Sequence, residues 1–321
     1  MSIYMRFAVS ALLSGVMCLL LPSGFAATAG NGKSAFDKAT FEAYLRNMLL
    51  VTPGVGMSVH DPKPSPIAGL KEVDVTFTFN GNTQDRTWYV SDDGKWILDV
   101  ETPSDPGASL HNISENPFQS DLDKIKTAGA ASFGKPNAPI KMVVYGDFEC
   151  PNCKDFDQSI RANLTKTFPD QVQFFFKDTP LVGMHPWAKD AAIAGRCILR
   201  QSPAAFWDYH DWIYSQQSEI NPDNLRGRIM DYAKSKGLDD IGLGHCIDTQ
   251  ATAPEVDEEI AQAKALGINE TPTIFINGRR LIGNVPWETV QAVIKAELEE
   301  QQRAAKKDEK CCEVNLPTLT K

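Results

Sequence analysis

Positive charge is the first thing this 321-residue sequence is short of: 32 Lys and Arg face 41 Asp and Glu, a formal net charge of −9. Nucleic-acid binders carry a basic footprint, so no nucleic-acid partner is expected. Histidine is scarce too, and the 5 in the chain do not cluster around its single C-x-x-C. A zinc site takes four ligands, and no second cysteine pair at finger or ribbon spacing supplies the other two. Neither a metal nor another cofactor is expected. Beyond the N-terminus no apolar run is long enough to cross a bilayer, and there is no internal repeat or low-complexity tract. What is present is enough chain for two globular domains.

Residues 1–29 hold one basic residue, Arg6, an apolar run from Phe7 to Leu21, and the small residues of "SGFAATAG". They read as a secretory signal peptide cleaved after Ala26 or Ala29. A retained membrane anchor is the competing reading, and the run is at the short end for a span. Cys18 lies inside that run, with leucines after it. Export points to the periplasm and leaves six cysteines, Cys150, Cys153, Cys197, Cys246, Cys311 and Cys312. This is an even number in a compartment where disulfides persist.

Phe41, Tyr44, Leu45, Met48 and Leu49 recur at i, i+3, i+4, i+7 and i+8, one stripe of a helix that starts near Phe36. The period then changes to two. Val73, Val75, Phe77 and Phe79 alternate with polar residues, "NGN" at 80–82 turns the chain into "RTWYVS", and "DDG" at 92–94 turns it into "KWILDV". A helix and an antiparallel meander of this size bury little core alone and are inclined to pack on a copy of themselves. The Pro/Gly/Ser-rich "ETPSDPGAS" at 101–109 is read as a boundary, and "SDLDKIK" at 120–126 as a short linker helix.

A second domain is expected from about Lys135. "IKMVVYGDF" is a buried strand, "CPNCKDFDQSIRANLTKTF" a helix, and "QVQFFFKDTPL" another strand, an order that predicts a parallel pair with a crossover helix. A helical stretch follows from about 186 to 266, with Ser202 and Asn221 as N-caps before Pro203 and Pro222. "TPTIFING" resumes the sheet, Asn277-Gly278 turns it into "RRLIG", and a last helix carries Trp287, Val290, Val293, Ile294 and Leu298 as its stripe. The tail after Arg303 is polar and expected to be mobile.

The C-x-x-C places Cys150 at the N-terminus of a helix directly after a strand. Unpaired N–H groups and the helix dipole favour a thiolate there, and in such motifs a thiol pKa of ~8.5 falls to roughly 3.5–7. Pro151 suits the first helical turn, and Cys153 lies one turn on. Cys150 is therefore the candidate attacking sulfur and Cys153 the resolving one. An inert disulfide is the blander reading, but so short a loop would restrain the unfolded chain little.

"GKPNAPIKMVVYGDFECPNCKDF", "FKDTPLVGMHPWAKDAAIAGRC", "FWDYHDWIY" and "ETPTIFINGRRLIG" occur in one order over about 134–300. Together they resemble the DsbA-like branch of the thioredoxin superfamily. The resemblance implies an α/β thioredoxin fold with a helical insertion at about 184–266. It also implies a cis Pro272 against the cysteines, with Thr271 presenting backbone groups to an extended substrate and Asn152 between the cysteines influencing the potential. "PSPIAGLKEVDV" and "WYVSDDGKWIL" are similar to the N-terminal dimerisation domain of the DsbC and DsbG isomerases. That similarity implies a small α+β, cystatin-like domain and a homodimer with two catalytic domains around a cleft. The expected division is signal peptide 1–29, dimerisation domain 30–104, linker 105–133, thioredoxin domain 134–303 and flexible tail 304–321. Family members often carry a buried Glu six residues before the first cysteine, where this chain has Val144. Asp147, Glu149 or water could take over its proton relay, and Asp147 reads first as a capping or surface acid.

Cys197 and Cys246 fall in the expected insertion, where export favours a structural bridge worth about 4 kcal/mol by the chain-entropy model. Buried free thiols are the alternative. Cys311 and Cys312 are open to copper(I) binding, to joining protomers, to exchange with the catalytic pair, or to no role. His185 and His210 read as packing or capping residues, the aromatics Phe206, Trp207, Tyr209 and Trp212 as core, and Lys177 as a surface lysine at a strand end. The expected function is a periplasmic protein disulfide isomerase or reductase acting on misfolded or reduced secreted proteins, recharged by a DsbD-like membrane reductant. A DsbA-like oxidase with a DsbB-like partner is the alternative, and a holdase chaperone or a copper-handling protein is more remote.

Overall fold

The computed structural model describes residues 33–51, 54–100 and 108–311. The expected signal peptide, with Cys18, and Cys312 lie outside the described residues. Helix α1 (Lys38–Met48) starts where the Asp37 carboxylate accepts the amide of Thr40 at 2.8 Å, which satisfies one of the donors a helix start leaves open. Its stripe, with Phe41 and Leu45 fully buried, covers Val73, Val75, Trp88, Val90 and Ile97. These belong to an antiparallel sheet of β1 (Gly56–Val59), β2 (Lys63–Pro64), β3 (Leu70–Phe79), β4 (Asn82–Ser91), β5 (Trp96–Val100) and β6 (Ala108–Asn112). The strand order is β1-β3-β4-β5-β6, with β2 also on β3. The β3–β4 hairpin closes on Asn80 and Gly81, both at positive φ (50° and 79°), as a tight two-residue turn requires.

Strand β6 corrects the expected boundary. Residues 108–112 pair with β5, Val100 opposite Ala108, and Ile113 joins the same core. The Pro/Gly/Ser-rich stretch therefore runs into a strand of the same sheet, its Ala108 and Ser109 pairing with Val100 and Asp99, instead of ending a domain.

After α2 (Gln119–Lys124) come β7 (Ala131–Gly134), β8 (Ile140–Gly146), α3 (Pro151–Thr167) and β9 (Val172–Asp178). The helical insertion holds α4 (Ala188–Gln201), α5 (Pro203–Ser215), α6 (Leu225–Ser235), α7 (Asp240–Asp248) and α8 (Ala253–Ala265); β10 (Thr273–Ile276), β11 (Arg279–Ile282) and α9 (Trp287–Cys311) are the last elements among the described residues. The second sheet has the order β11-β10-β8-β9-β7, with β8 and β9 parallel and joined through α3. Its centre is buried on both faces. Met142, Val144, Phe174 and Phe176 face one cluster, and Val143, Tyr145, Phe175 and Phe275 face the other, so these strands read as apolar runs and not as alternations.

Ser202 caps α5 through a bond from the Ala205 amide at 3.3 Å. Asn221 caps only a preceding turn, its side chain accepting from Asp223 and Asn224, and α6 itself begins at Leu225. Helix α9 continues about two turns past Arg303, to Cys311, into the stretch expected to be a mobile tail. Ala, Lys and Glu there are strong helix formers. Cys197 of α4 and Cys246 of α7 are joined, Sγ–Sγ 2.01 Å, so the bond crosses the insertion.

Lys177 is no surface lysine. It is 3% exposed, pairs with Glu259 of α8 at 2.9 Å and donates to the Lys126 carbonyl. Arg196 completes this buried network through Glu259 and Asp178. A buried charge survives only with such partners.

The two sheets meet at the β10–β11 hairpin. Gly278 has φ 90°, and a Cβ there would lie 2.5 Å from the Phe118 carbonyl oxygen, so only glycine lets the hairpin close on the chain entering α2. Next to it, Arg279 donates to the carbonyls of Asn47 at 2.6 Å and Met48 at 3.2 Å. A cation is favourable at the C-terminal end of α1, where carbonyls lack helical partners. The same guanidinium pairs with Glu297 and lies 4.1 Å over the Phe118 ring.

Candidate active site

Strand β8 ends at Gly146, and after a three-residue turn (147–149) the chain enters α3 with Cys150 as its N-cap, in an extended conformation (φ −73°, ψ 120°). Pro151 occupies the first turn, where its missing N–H costs nothing. Cys153 sits one turn into the helix. Both sulfurs are free thiols, Cys150 at 5% and Cys153 at 2% exposure. Across from them the Thr271-Pro272 bond is cis, and the Cys150 thiol donates to the Thr271 carbonyl at 3.3 Å. Asn152 lies in the exposed first turn of α3. The structure thus brings Cys150, Pro151, Asn152, Cys153, Thr271 and Pro272 to one edge of the sheet. Cys197 and Cys246 are bonded in the insertion instead.

The two thiols differ sharply. A hydrogen bond from Cys153, aided by the Thr271 side chain and opposed by burial, brings Cys150 down to about 6. Cys153 is pushed well above the usual thiol value, first by burial and then by the neighbouring Cys150 sulfur. At neutral pH the thiolate is therefore favoured at Cys150, while Cys153 is held in its protonated form.

Several supports were not legible in the sequence. Gln217, just after α5, donates to the carbonyls of Phe148 at 2.8 Å and Cys150 at 3.1 Å and pins the turn between β8 and α3. Phe148 anchors the same turn among Phe176, Tyr209, His210 and Tyr214. Asp147 is not a surface acid: it is 1% exposed, and its carboxylate accepts from the amides of Glu149 and Leu181 and from His185 Nδ1, each at 2.7 Å. Glu149 accepts the Trp187 amide at 2.8 Å, and burial pushes its carboxyl up. Val144 is buried in the core and offers no proton acceptor. His210 packs among Phe176, Phe206, Trp207 and Tyr214.

Among the described residues, Asp157, His210 and Asp211 have the spacing of metal ligands. The Arg161 guanidinium bonds all three, with His210 Nδ1 at 3.2 Å, and so already supplies the positive charge there.

The rim of the site is apolar and exposed. Val182 (60%) and Met184 (71%) lie in the segment held by Leu181 and His185, and Ile282 (51%) pairs with Thr273, next to the cis-proline.

The family model described as thioredoxin matches residues 126–296. The Na(+)/H(+) antiporter NhaA 1 of Salinispora arenicola is 32% identical over 199 residues, 62% of this chain and 26% of the antiporter. This chain thus spans about a quarter of the antiporter's length. Disulfide bond formation protein D of Bacillus subtilis is 28% identical over 174 residues, 53% of this chain and 78% of that protein. The crystal structure of oxidised BdbD from Bacillus subtilis superposes with a TM-score of 0.51 at 26% identity, covering 54% of this chain and 95% of BdbD. With more than half its length inside the family match and a cysteine pair facing a cis-proline, the chain belongs to the thioredoxin family, as a DsbA-like member.

Proposed function

We propose that the protein is an exported thiol-disulfide oxidoreductase that works as a dimeric disulfide isomerase or reductase. The observation that carries the proposal is the placement of the two thiols of one C-x-x-C: Cys150 at a helix start against the Thr271 carbonyl of the cis-proline segment, and Cys153 buried one turn behind it. Cys150 attacks a client disulfide, the displaced client thiol leaves, and either another client thiol or Cys153 then attacks the mixed disulfide. The first outcome is isomerisation and the second is reduction. Thr271 offers its backbone to an extended client segment beside Pro272, and Val182, Met184 and Ile282 give apolar rim contacts to unfolded chains. The Cys197–Cys246 bond favours an oxidising compartment, which supports the periplasm as location. Clients are misfolded or reduced secreted proteins, and a DsbD-like membrane reductant keeps the pair reduced.

The first sheet supports the dimer. Trp96, Val100 and Leu110 are 42%, 45% and 62% exposed on β5 and the edge strand β6, an apolar outer face with no charged residue on β6 to guard it. An oxidase with a DsbB-like partner is the second reading, favoured by the name of the Bacillus subtilis disulfide bond formation relative.

Refolding of scrambled ribonuclease tests the proposal. Full-length protein restores ribonuclease activity and Cys150→Ala does not; equal recovery with Cys150→Ala would leave a chaperone. A Trp96→Glu, Leu110→Glu variant is expected to sediment as a monomer, keeping insulin reduction and losing isomerisation. An oxidase is indicated if reduced ribonuclease is oxidised efficiently while the scrambled form is not rescued.

A further inference from the structure

Helix α1 ends in a way its sequence does not favour. The Val51 amide reaches back to the Arg46 carbonyl at 3.1 Å and the Leu50 amide to the Asn47 carbonyl at 3.4 Å, a closure that puts Leu50 at φ 53°. Glycine is the usual residue at that place, because a Cβ is crowded in the left-handed region. Met48 and Leu49 pack against the core under the first sheet, but the Leu50 side chain packs against the core of the thioredoxin fold. Arg279 makes the reverse crossing. From β11 it donates to the carbonyls of Asn47 at 2.6 Å and Met48 at 3.2 Å, and to Asn47 Oδ1 at 2.9 Å, at the helix end where carbonyls need partners. Glu297 of α9 pairs with the same guanidinium at 3.1 Å, which lets the cation be buried. The covalent connection is held as well. The Ser114 and Glu115 amides donate to Asn112 Oδ1 at 2.9 Å and the Asn112 carbonyl at 3.0 Å, and the Phe118 and Gln119 amides to Asn116 Oδ1 at 3.0 Å and the Asn116 carbonyl at 2.9 Å.

We propose that Leu50 and Arg279 lock α1 and the first sheet to the thioredoxin fold as one rigid body, so that the β5–β6 face and Cys150 keep a fixed spacing and orientation. Each residue belongs to one part and is anchored in the other. Separation would expose the Leu50 side chain to water and strand Glu297 as a buried, unpaired carboxylate. Parts of a chain joined only by a linker move relative to one another by default, and the crossed anchors remove that freedom. The functional half of the inference rests on the dimeric isomerase reading. With the dimer formed on β5–β6, Leu50 and Arg279 become positioning residues that set the distance between the two Cys150 thiols across the cleft, and with it the size of client that both can reach. Attack on a single disulfide needs one Cys150 and is independent of the lock.

Small-angle X-ray scattering of the reduced full-length protein tests the lock in any oligomeric state. One arrangement of the two parts is expected to fit the wild-type curve. Leu50→Asn keeps a residue suited to positive φ and removes the apolar side chain. Arg279→Met with Glu297→Gln removes the donors without stranding a carboxylate. Each is expected to raise the radius of gyration and to need an ensemble of arrangements, and Arg279→Lys, a point charge in place of a fork, to fall between these and the wild type. In the unlocked variants insulin reduction should stay at the wild-type rate while rescue of scrambled ribonuclease is mostly lost. Wild-type scattering from the combined Leu50, Arg279 and Glu297 variant, or a wild-type curve that itself needs an ensemble, overturns the lock. If the variants do not fold, the wild-type curve decides. A monomeric wild type with a single arrangement would support the lock and overturn the dimer reading. Unlocked variants that rescue ribonuclease as well as the wild type would overturn the positioning role.

Discussion

Two cysteine pairs in one chain have opposite fates. Cys150 and Cys153 are three residues apart, both reduced, and held in different protonation states. Cys197 and Cys246 are 49 residues apart and bonded between two helices of the insertion. The chemistry of sulfur is the same in both; the surroundings differ. The first pair has a helix N-terminus, a neighbouring thiol and a backbone carbonyl around an ionisable sulfur. The second packs against the apolar core, Cys197 buried and Cys246 partly so, with the Thr252 hydroxyl 3.5 Å from Cys197 Sγ. Reactivity is thus placed at a strand-to-helix turn, and cross-linking is placed where a long loop needs restraint.

Exchanging the fates of the two pairs should fail. Cys150→Ala is expected to abolish insulin reduction and ribonuclease rescue, while Cys197→Ala, Cys246→Ala retains both. Full activity in the first variant or none in the second, folded protein would erase the contrast. The next largest effect is on stability. Losing the Cys197–Cys246 bond is expected to cost about 2–4 kcal/mol in denaturant unfolding, whereas reducing or oxidising the C-x-x-C pair closes too short a loop to act by the same route.

How much of this contrast the sequence revealed depends on the range of the interactions. The C-x-x-C after "IKMVVYGDF", the turn at Asn80-Gly81 and the Ser202-Pro203 helix start were all readable, because each depends on neighbours within a few residues. Lys177 was misread because its counter-ion, Glu259, arrives from α8. Asp147 reads as a surface acid until Leu181 and His185, from a distant segment, close over it. Gln217 carries no local signal that it will hold the carbonyls of the active-site turn. Strand β6 hid behind a Pro/Gly-rich stretch whose composition suits a hairpin loop as well as a linker. The cis state of Pro272 came from family resemblance, since composition alone marks only a turn or strand start there.

A smaller effect sharpens the comparison through pH. The folded Cys150 pKa, about 6, is below the unfolded thiol value, so its thiolate stabilises the folded protein above the unfolded pKa, and that stabilisation fades as pH falls through about 6. Reduced protein should therefore gain stability between pH 6 and about 8.5 relative to protein whose C-x-x-C is oxidised, as read by paired urea melts. The 197–246 bond does not titrate, so it adds no slope. The smallest expected change is from Gln217→Ala, which leaves the Phe148 and Cys150 carbonyls without their side-chain donor. It should cost about 1 kcal/mol and leave the Cys197–Cys246 region unaffected in hydrogen exchange.

The most direct test is the pH dependence of Cys150 alkylation by iodoacetamide in the reduced full-length protein, with the modified residue identified by mass spectrometry. The structure predicts a single inflection near pH 6 at Cys150, with Cys153 unmodified throughout. An inflection near 8.5, as in a free thiol, or no reaction at Cys150 would contradict it.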